Sequence, residues 1–196
     1  MTEICVQVEE TLQQAIALLV KNGFEFVESY TNFDTYYSTL ISPEQENYQH
    51  LLNKSVIIRH IVSENCDVKN AVYKSKTLDS NGNVINEVKT KLKVDDIEKA
   101  KQIFNNLCLN CWCDFAVQNN ELKKGEIVVD IQYVQNLGTF IEIEEYPSIK
   151  DLDSAKKFEI LKDIVKQLGF NIIGNDYSCK KPYMFLLKNS TKRNEL

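Results

Sequence analysis

Apolar and polar positions alternate through most of this chain, most clearly between Asp130 and Tyr146. In Phe140-Ile141-Glu142-Ile143-Glu144 the period is two. A strand would therefore send Glu142 and Glu144 to one face and Ile141 and Ile143 to the other. Similar runs predict strands over residues 3–8, 24–29, 34–39, 55–61, 71–77, 84–94, 113–118, 126–134 and 139–145. Asp79-Ser80-Asn81-Gly82-Asn83 carries the Asn-Gly signal of a tight hairpin between two of them.

Elsewhere the period lengthens to that of a helix. Leu12, Ala15, Ile16, Leu19 and Val20 form one stripe over a helix from about Glu9 to Asn22, with Gly23 as its stop. Asp95 or Asp96 can cap a second helix reaching about Leu107. A third, over 153–168, carries Ala155, Phe158, Leu161, Ile164, Val165 and Leu168 and closes at Gly169. Tyr183–Leu187 reads as a short strand or turn, and residues 189–196 as a polar, frayed tail. No linker interrupts the pattern, so residues 1–188 are expected to form one α+β domain.

Composition narrows the function classes. A net charge of −5 gives no reason to expect a nucleic-acid binder, and no apolar run approaches the ~20 residues of a bilayer span. Six cysteines without an export signal are expected to be reduced thiols of a cytoplasmic protein. Cys108, Cys111 and Cys113 could seed a zinc site, but no second pair follows. Thiols buried at a helix end are the simpler expectation.

Glu142 and Glu144 are the candidate chemistry. Side-by-side carboxylates repel unless a cation lies between them, which suits a hard metal ion. A half-buried edge strand with a solvated polar face has the same pattern, so the residues alone leave both readings open.

Several segments recur in order: Asp34-Thr-Tyr-Tyr, Val56-Ile-Ile-Arg59, Tyr73-Lys74 with Lys76, Glu87, Leu137-Gly138-x-Phe140-x-Glu142-x-Glu144, and Pro182-Tyr183. As a set they resemble the CYTH superfamily, or triphosphate tunnel metalloenzymes, and within it the class IV adenylyl cyclase-like branch. The resemblance implies a closed eight-stranded antiparallel β-tunnel with flanking helices. Basic side chains inside would hold a triphosphate, and acidic ones Mg²⁺ or Mn²⁺. It implies Glu3, Glu142 and Glu144 as metal ligands, with Glu142, Glu144 and Asp130 as catalytic carboxylates. Arg59, Lys74, Lys76, Glu87 and Tyr36 would line the substrate site. The implied partner is a small phosphorylated nucleotide, and a homodimer is compatible with the pattern.

The departures count as much. The family opens with ExExK, whereas the same face here carries Glu3, Cys5 and Gln7. Ile57 replaces the first Arg of an RxR strand, and Gln132 stands where the family has aspartate, with Asp130 one pleat earlier. The basic pair expected on the strand after the second helix is absent around Val117–Asn119. The thinned set suits a ligand with fewer phosphates, or one metal or none. Two further readings therefore stand beside a metal-dependent cyclase-like or triphosphatase enzyme. One is a lyase or phosphodiesterase acting on another adenine-nucleotide conjugate, using a carboxylate as general base without metal. The other is a non-catalytic nucleotide sensor or sponge.

Overall fold

The architecture, described by a computed structural model for residues 2–39, 54–78 and 84–193, is one eight-stranded antiparallel sheet with helices on its outer face and one helix within its curve. The strands are β1 (Glu3–Val8), β2 (Glu25–Ser38), β3 (Lys54–Ser63), β4 (Cys66–Leu78), β5 (Val84–Lys93), β6 (Asn110–Lys124), β7 (Ile127–Val134) and β8 (Gly138–Glu144). Their order is β1-β8-β7-β6-β2-β3-β4-β5. The helices are α1 (Leu12–Lys21), α2 (Ile97–Asn106), α3 (Ser154–Leu168) and α4 (Lys181–Arg193).

Local chemistry sets the helix ends. Thr11 and Gln14 form a reciprocal capping box on α1, and Asp96 and Asp153 cap α2 and α3 through their side chains. Gly169 ends α3 at φ +82°, a left-handed conformation that costs other residues strain.

The alternation in β8 divides two environments. Ile141 and Ile143 join Ile4, Val6, Val129 and Ile131 in a core beneath α1 and α3, packed by Leu19, Leu161 and Val165. Phe140 faces the other way, into a cluster with Cys5, Tyr36, Ile57, Val72 and Phe115. These residues come from strands across the whole sheet, so this second cluster is the inside of its curve. α4 enters here: Met184, Phe185 and Leu186 pack against the cluster, and Phe185 stacks on Phe115 with centroids 5.3 Å apart.

Four expectations are corrected. The sheet is not a closed tunnel: its order ends at β1 and β5, with no ladder between them among the described residues. The outer edge of β1 is already taken, since Cys5 and Gln7 bond through their backbones to Tyr177, Cys179 and Ile173 of the C-terminal segment. Residues 24–29 and 34–39 belong to one bent strand, β2, with a register shift between Phe26 and Glu28 in its pairing to β6. Tyr183–Leu187 is neither strand nor turn but part of α4, which also makes residues 189–193 helical. The Asn-Gly hairpin at 79–83 lies outside the described residues, though the strands flanking it do pair antiparallel.

Candidate functional site

A cavity of about 260 Å³ opens on the inner face of the sheet, lined by side chains from β1 to β8 and by the start of α4. Antiparallel register builds its acidic wall. Glu3 lies opposite Glu144, Cys5 opposite Glu142, and Glu142 opposite Asp130. One carboxylate oxygen each from Glu3, Glu142 and Glu144 lies within 4.8 Å of the others. Oxygen donors at such spacing fit a hard divalent cation, and no other metal-holding group of His, Cys, Asp or Glu occurs among the described residues.

Lys181 governs this wall. Its Nζ donates to Glu142 Oε2 at 2.6 Å and lies 3.4 Å from Cys5 Sγ. Burial pushes Glu142 upward, but the attraction and hydrogen bond of Lys181, aided by Lys74, outweigh it and hold the carboxyl below its ordinary range. Burial likewise disfavours the Lys181 ammonium, yet the charges of Glu142 and Glu3 and the hydrogen bond to Glu142 hold it firmly charged. Cys5, buried beside Glu142, has its thiol pushed up to about 12 and stays protonated.

The neighbouring acids behave differently. Asp130 is raised to about 7, first by burial, then by the charges of Glu142 and Glu121, with Lys181 opposing. Its Oδ2 accepts from Tyr30 Oη at 3.5 Å, and its Oδ1 has no protein partner. Glu144 is also raised, mainly by burial and only partly offset by Lys89, which stands 3.5 Å away across the mouth of the curve. That ion pair brings β5 close to β8 although the two strands are not hydrogen-bonded neighbours.

Arg59 lines the opposite side, locked by Asp34. Its Nε and Nη2 donate to the two Asp34 oxygens at 2.7 and 2.5 Å, and Asp34 is buried. Burial disfavours the guanidinium, but Asp34 more than compensates. Tyr36 reaches the cavity from a packed position: it is buried against Trp112 and Phe115, its hydroxyl 3.5 Å from Asp34.

Glu3, Tyr36, Arg59, Lys74, Asp130, Glu142 and Glu144 thus share one cavity. Lys76 and Glu87 face each other in the β4–β5 register, and their side chains lie outside the described residues. Gln7, on the face of Glu3 and Cys5, lies beyond the cavity lining and donates to Leu137 O at 2.7 Å in the β7–β8 turn. Sequence reading missed Lys89, Lys91, Lys180 and Lys181, all of which line the cavity. With Arg59 and Lys74 they make six basic residues on the cavity lining. The spacing of Lys89-Thr90-Lys91 could have shown the first two, being period two on a strand. Lys181 had only its place beside Pro182-Tyr183 as a signal.

The three clustered cysteines form no such group. Cys108 and Cys111 are exposed, and only Cys113 is buried, its thiol pointing at Pro182 O. No helix among the described residues is long and apolar enough to cross a membrane.

Comparisons agree with the fold. A curated protein of Methanocaldococcus jannaschii named "putative adenylate cyclase" is 26% identical over 185 residues, covering 94% of this chain and 96% of its own length. A solved structure from Pyrococcus horikoshii superposes with a TM-score of 0.70 at 18% identity, covering 96% of this chain and 98% of that one. A "putative adenylate cyclase" structure from Vibrio parahaemolyticus gives 0.59 at 15% identity, covering 90% and 94%. No family model matches. The chain resembles the class IV adenylate cyclase-like CYTH proteins, and its α+β fold is theirs.

Proposed function

We propose that this protein binds a nucleoside triphosphate, or a closely related phosphorylated nucleotide, and cleaves a phosphoanhydride bond in it with Mg²⁺ or Mn²⁺. The observation that carries the reading is the meeting of six basic residues and a three-carboxylate group in one cavity of about 260 Å³. A polyphosphate needs cations on several sides, and a divalent ion needs hard oxygen donors beside it. The names of the similar proteins point to the same substrate class.

Glu3, Glu142 and Glu144 would hold the ion, which when bound would withdraw charge from phosphate oxygens as a Lewis acid. Arg59, held rigid by Asp34, and Lys74, Lys89 and Lys91 neutralise the remaining phosphate charge and orient the chain of phosphates. The attacking oxygen is a sugar hydroxyl for cyclisation or a water for hydrolysis. As it bonds to phosphorus, the bond to the leaving phosphate breaks and the proton passes to a carboxylate. Asp130, titrating near neutrality at the edge of the acidic wall, suits that base role.

A metal-free lyase or phosphodiesterase is the second reading, and one observation favours it. Lys181 already supplies a positive charge to Glu142, while Asp130 stands poised as a base. The test is product analysis with ATP, GTP, inorganic triphosphate and thiamine triphosphate, in Mg²⁺, Mn²⁺ or EDTA. Metal-dependent release of pyrophosphate or phosphate, lost when Glu142→Ala and Glu144→Ala are combined, is expected. Turnover persisting in EDTA moves the assignment to the second reading. Inertness across all four substrates removes the metal-dependent reading.

A further inference from the structure

Three side-chain amides form a neutral wall in this otherwise charged cavity: Asn32 on β2, Asn119 on β6 and Gln132 on β7. The register makes them neighbours. Asn119 lies opposite Gln132, and Tyr30, one pleat before Asn32, lies opposite Asn119. All three amides are deeply buried, at 7%, 1% and 6% exposure. Yet Asn32 Oδ1, Asn119 Oδ1 and Gln132 Oε1 have no hydrogen-bond partner in the protein.

Buried carbonyl oxygens without partners lower stability, and a wall serving packing alone would be apolar. Three together on the surface of a cavity point to a ligand that pairs with them. Asn119 is fixed in orientation, because its Nδ2 donates to Val117 O at 2.9 Å. No such bond to a protein oxygen anchors the Gln132 or Asn32 amide in the same way, and terminal amides turn readily about their last torsion. Such groups present carbonyl oxygens and NH₂ groups without net charge.

That chemistry favours a group that both donates and accepts over one that only accepts. Phosphate oxygens are anionic acceptors, which the fixed Asn119 carbonyl repels and the other two amides meet only through their NH₂ groups. The cavity places its cations elsewhere, on β3, β4, β5 and at Lys180 and Lys181 where α4 begins. A sugar hydroxyl both donates and accepts, as does the edge of a nucleobase. We infer that the amide wall formed by Asn32, Asn119 and Gln132 is a subsite for the uncharged nucleoside end of the ligand, so that the cavity selects an organic nucleotide over bare polyphosphate. The inference rests on the function proposed above and adds which end of the ligand sits where.

The test is calorimetric titration of ATP and of inorganic tripolyphosphate, both with Mg²⁺, into wild type, Gln132→Leu, Asn32→Leu and Lys74→Ala. Thermal unfolding of each ligand-free protein is read alongside. The leucine variants are expected to bind ATP at least tenfold more weakly while their tripolyphosphate affinity stays within twofold. Their unfolding temperatures should be equal to or above that of wild type, since each removes an unpaired buried oxygen. Lys74→Ala should weaken both ligands. Equal weakening of both ligands in the leucine variants, unchanged ATP affinity in both, or lowered unfolding temperatures with ATP affinity intact would overturn the subsite. The proposed phosphate-binding function survives each of those results. Wild type that binds tripolyphosphate but not ATP overturns the subsite and the nucleoside triphosphate reading together, and binding of neither ligand overturns phosphate binding as well. Should one leucine variant fail to fold, the other decides.

Discussion

Lys181 and Glu142, 39 positions apart in the chain, meet at 2.6 Å inside the curve of the sheet, one from the first turn of a helix and the other from a strand. Truncating a buried ion pair on one side leaves the other charge uncompensated. Both side chains keep a little solvent, 13% and 20%, so Lys181→Met is expected to cost about 2–3 kcal/mol, below the full buried-pair range. Adding Glu142→Gln should recover much of that loss. Urea unfolding of the two single variants and the double variant measures the coupling.

Lys181 also occupies the place that a divalent ion would contest. With the ammonium removed, Glu142 is freed as a donor beside Glu3 and Glu144. Lys181→Met should therefore bind Mn²⁺ more tightly than wild type, by about tenfold, or ~1.4 kcal/mol. Titration followed by the electron paramagnetic resonance of free Mn²⁺ reads this directly. An unchanged or weakened affinity would separate Lys181 from the cation site.

Asp130 carries a pH signature. Its carboxyl titrates near 7 in the folded protein and near the ordinary ~3.9 when unfolded, because burial and the charges of Glu142 and Glu121 disfavour ionisation. Between those values the folded state binds more protons than the unfolded one. Stability from this group is thus full below about pH 4 and is lost as pH rises to about 7. Asp130→Asn should flatten that decline in metal-free protein, so the variant gains on wild type from pH 4 to pH 8. Denaturant midpoints across the range provide the check. If Asp130 is the base, the same substitution also removes the rise in turnover through neutral pH.

Arg59 and Asp34 form a fork that lysine cannot copy. Both Asp34 oxygens are engaged and the carboxylate is 2% exposed, so a single ammonium leaves one of them short of a donor. Arg59→Lys is expected to lower stability by about 1–2 kcal/mol and Arg59→Met by about 3 kcal/mol or more. Equal stability of wild type and Arg59→Lys in urea would show that the fork contributes nothing beyond its charge.

How much the sequence reveals depends on whether neighbours in space are also periodic in the chain. Glu142 and Glu144 are legible because a strand has period two and Ile141 and Ile143 fill the opposite core. The middle of β2 is less so, since Asn32 is buried against a polar cavity while Phe33 is half exposed, which reverses the usual code. α4 is misread because Pro182 and Tyr183 suggest a strand or turn, although proline is well tolerated in the first turn of a helix. Lys181 and the open edge are tertiary facts. The first arises when α4 enters the curve, and the second when residues 172–179 take the free side of β1.

The central claim is that this cavity holds a nucleoside triphosphate together with a divalent ion. Calorimetric titration of ATP with Mn²⁺, repeated in EDTA and with combined Glu142→Ala and Glu144→Ala, tests it most directly. Saturable binding at one site per chain, markedly weakened both by EDTA and by the double substitution, is the result predicted. No heat of binding for the wild type, or ATP affinity indifferent to metal and to both glutamates, would contradict the claim.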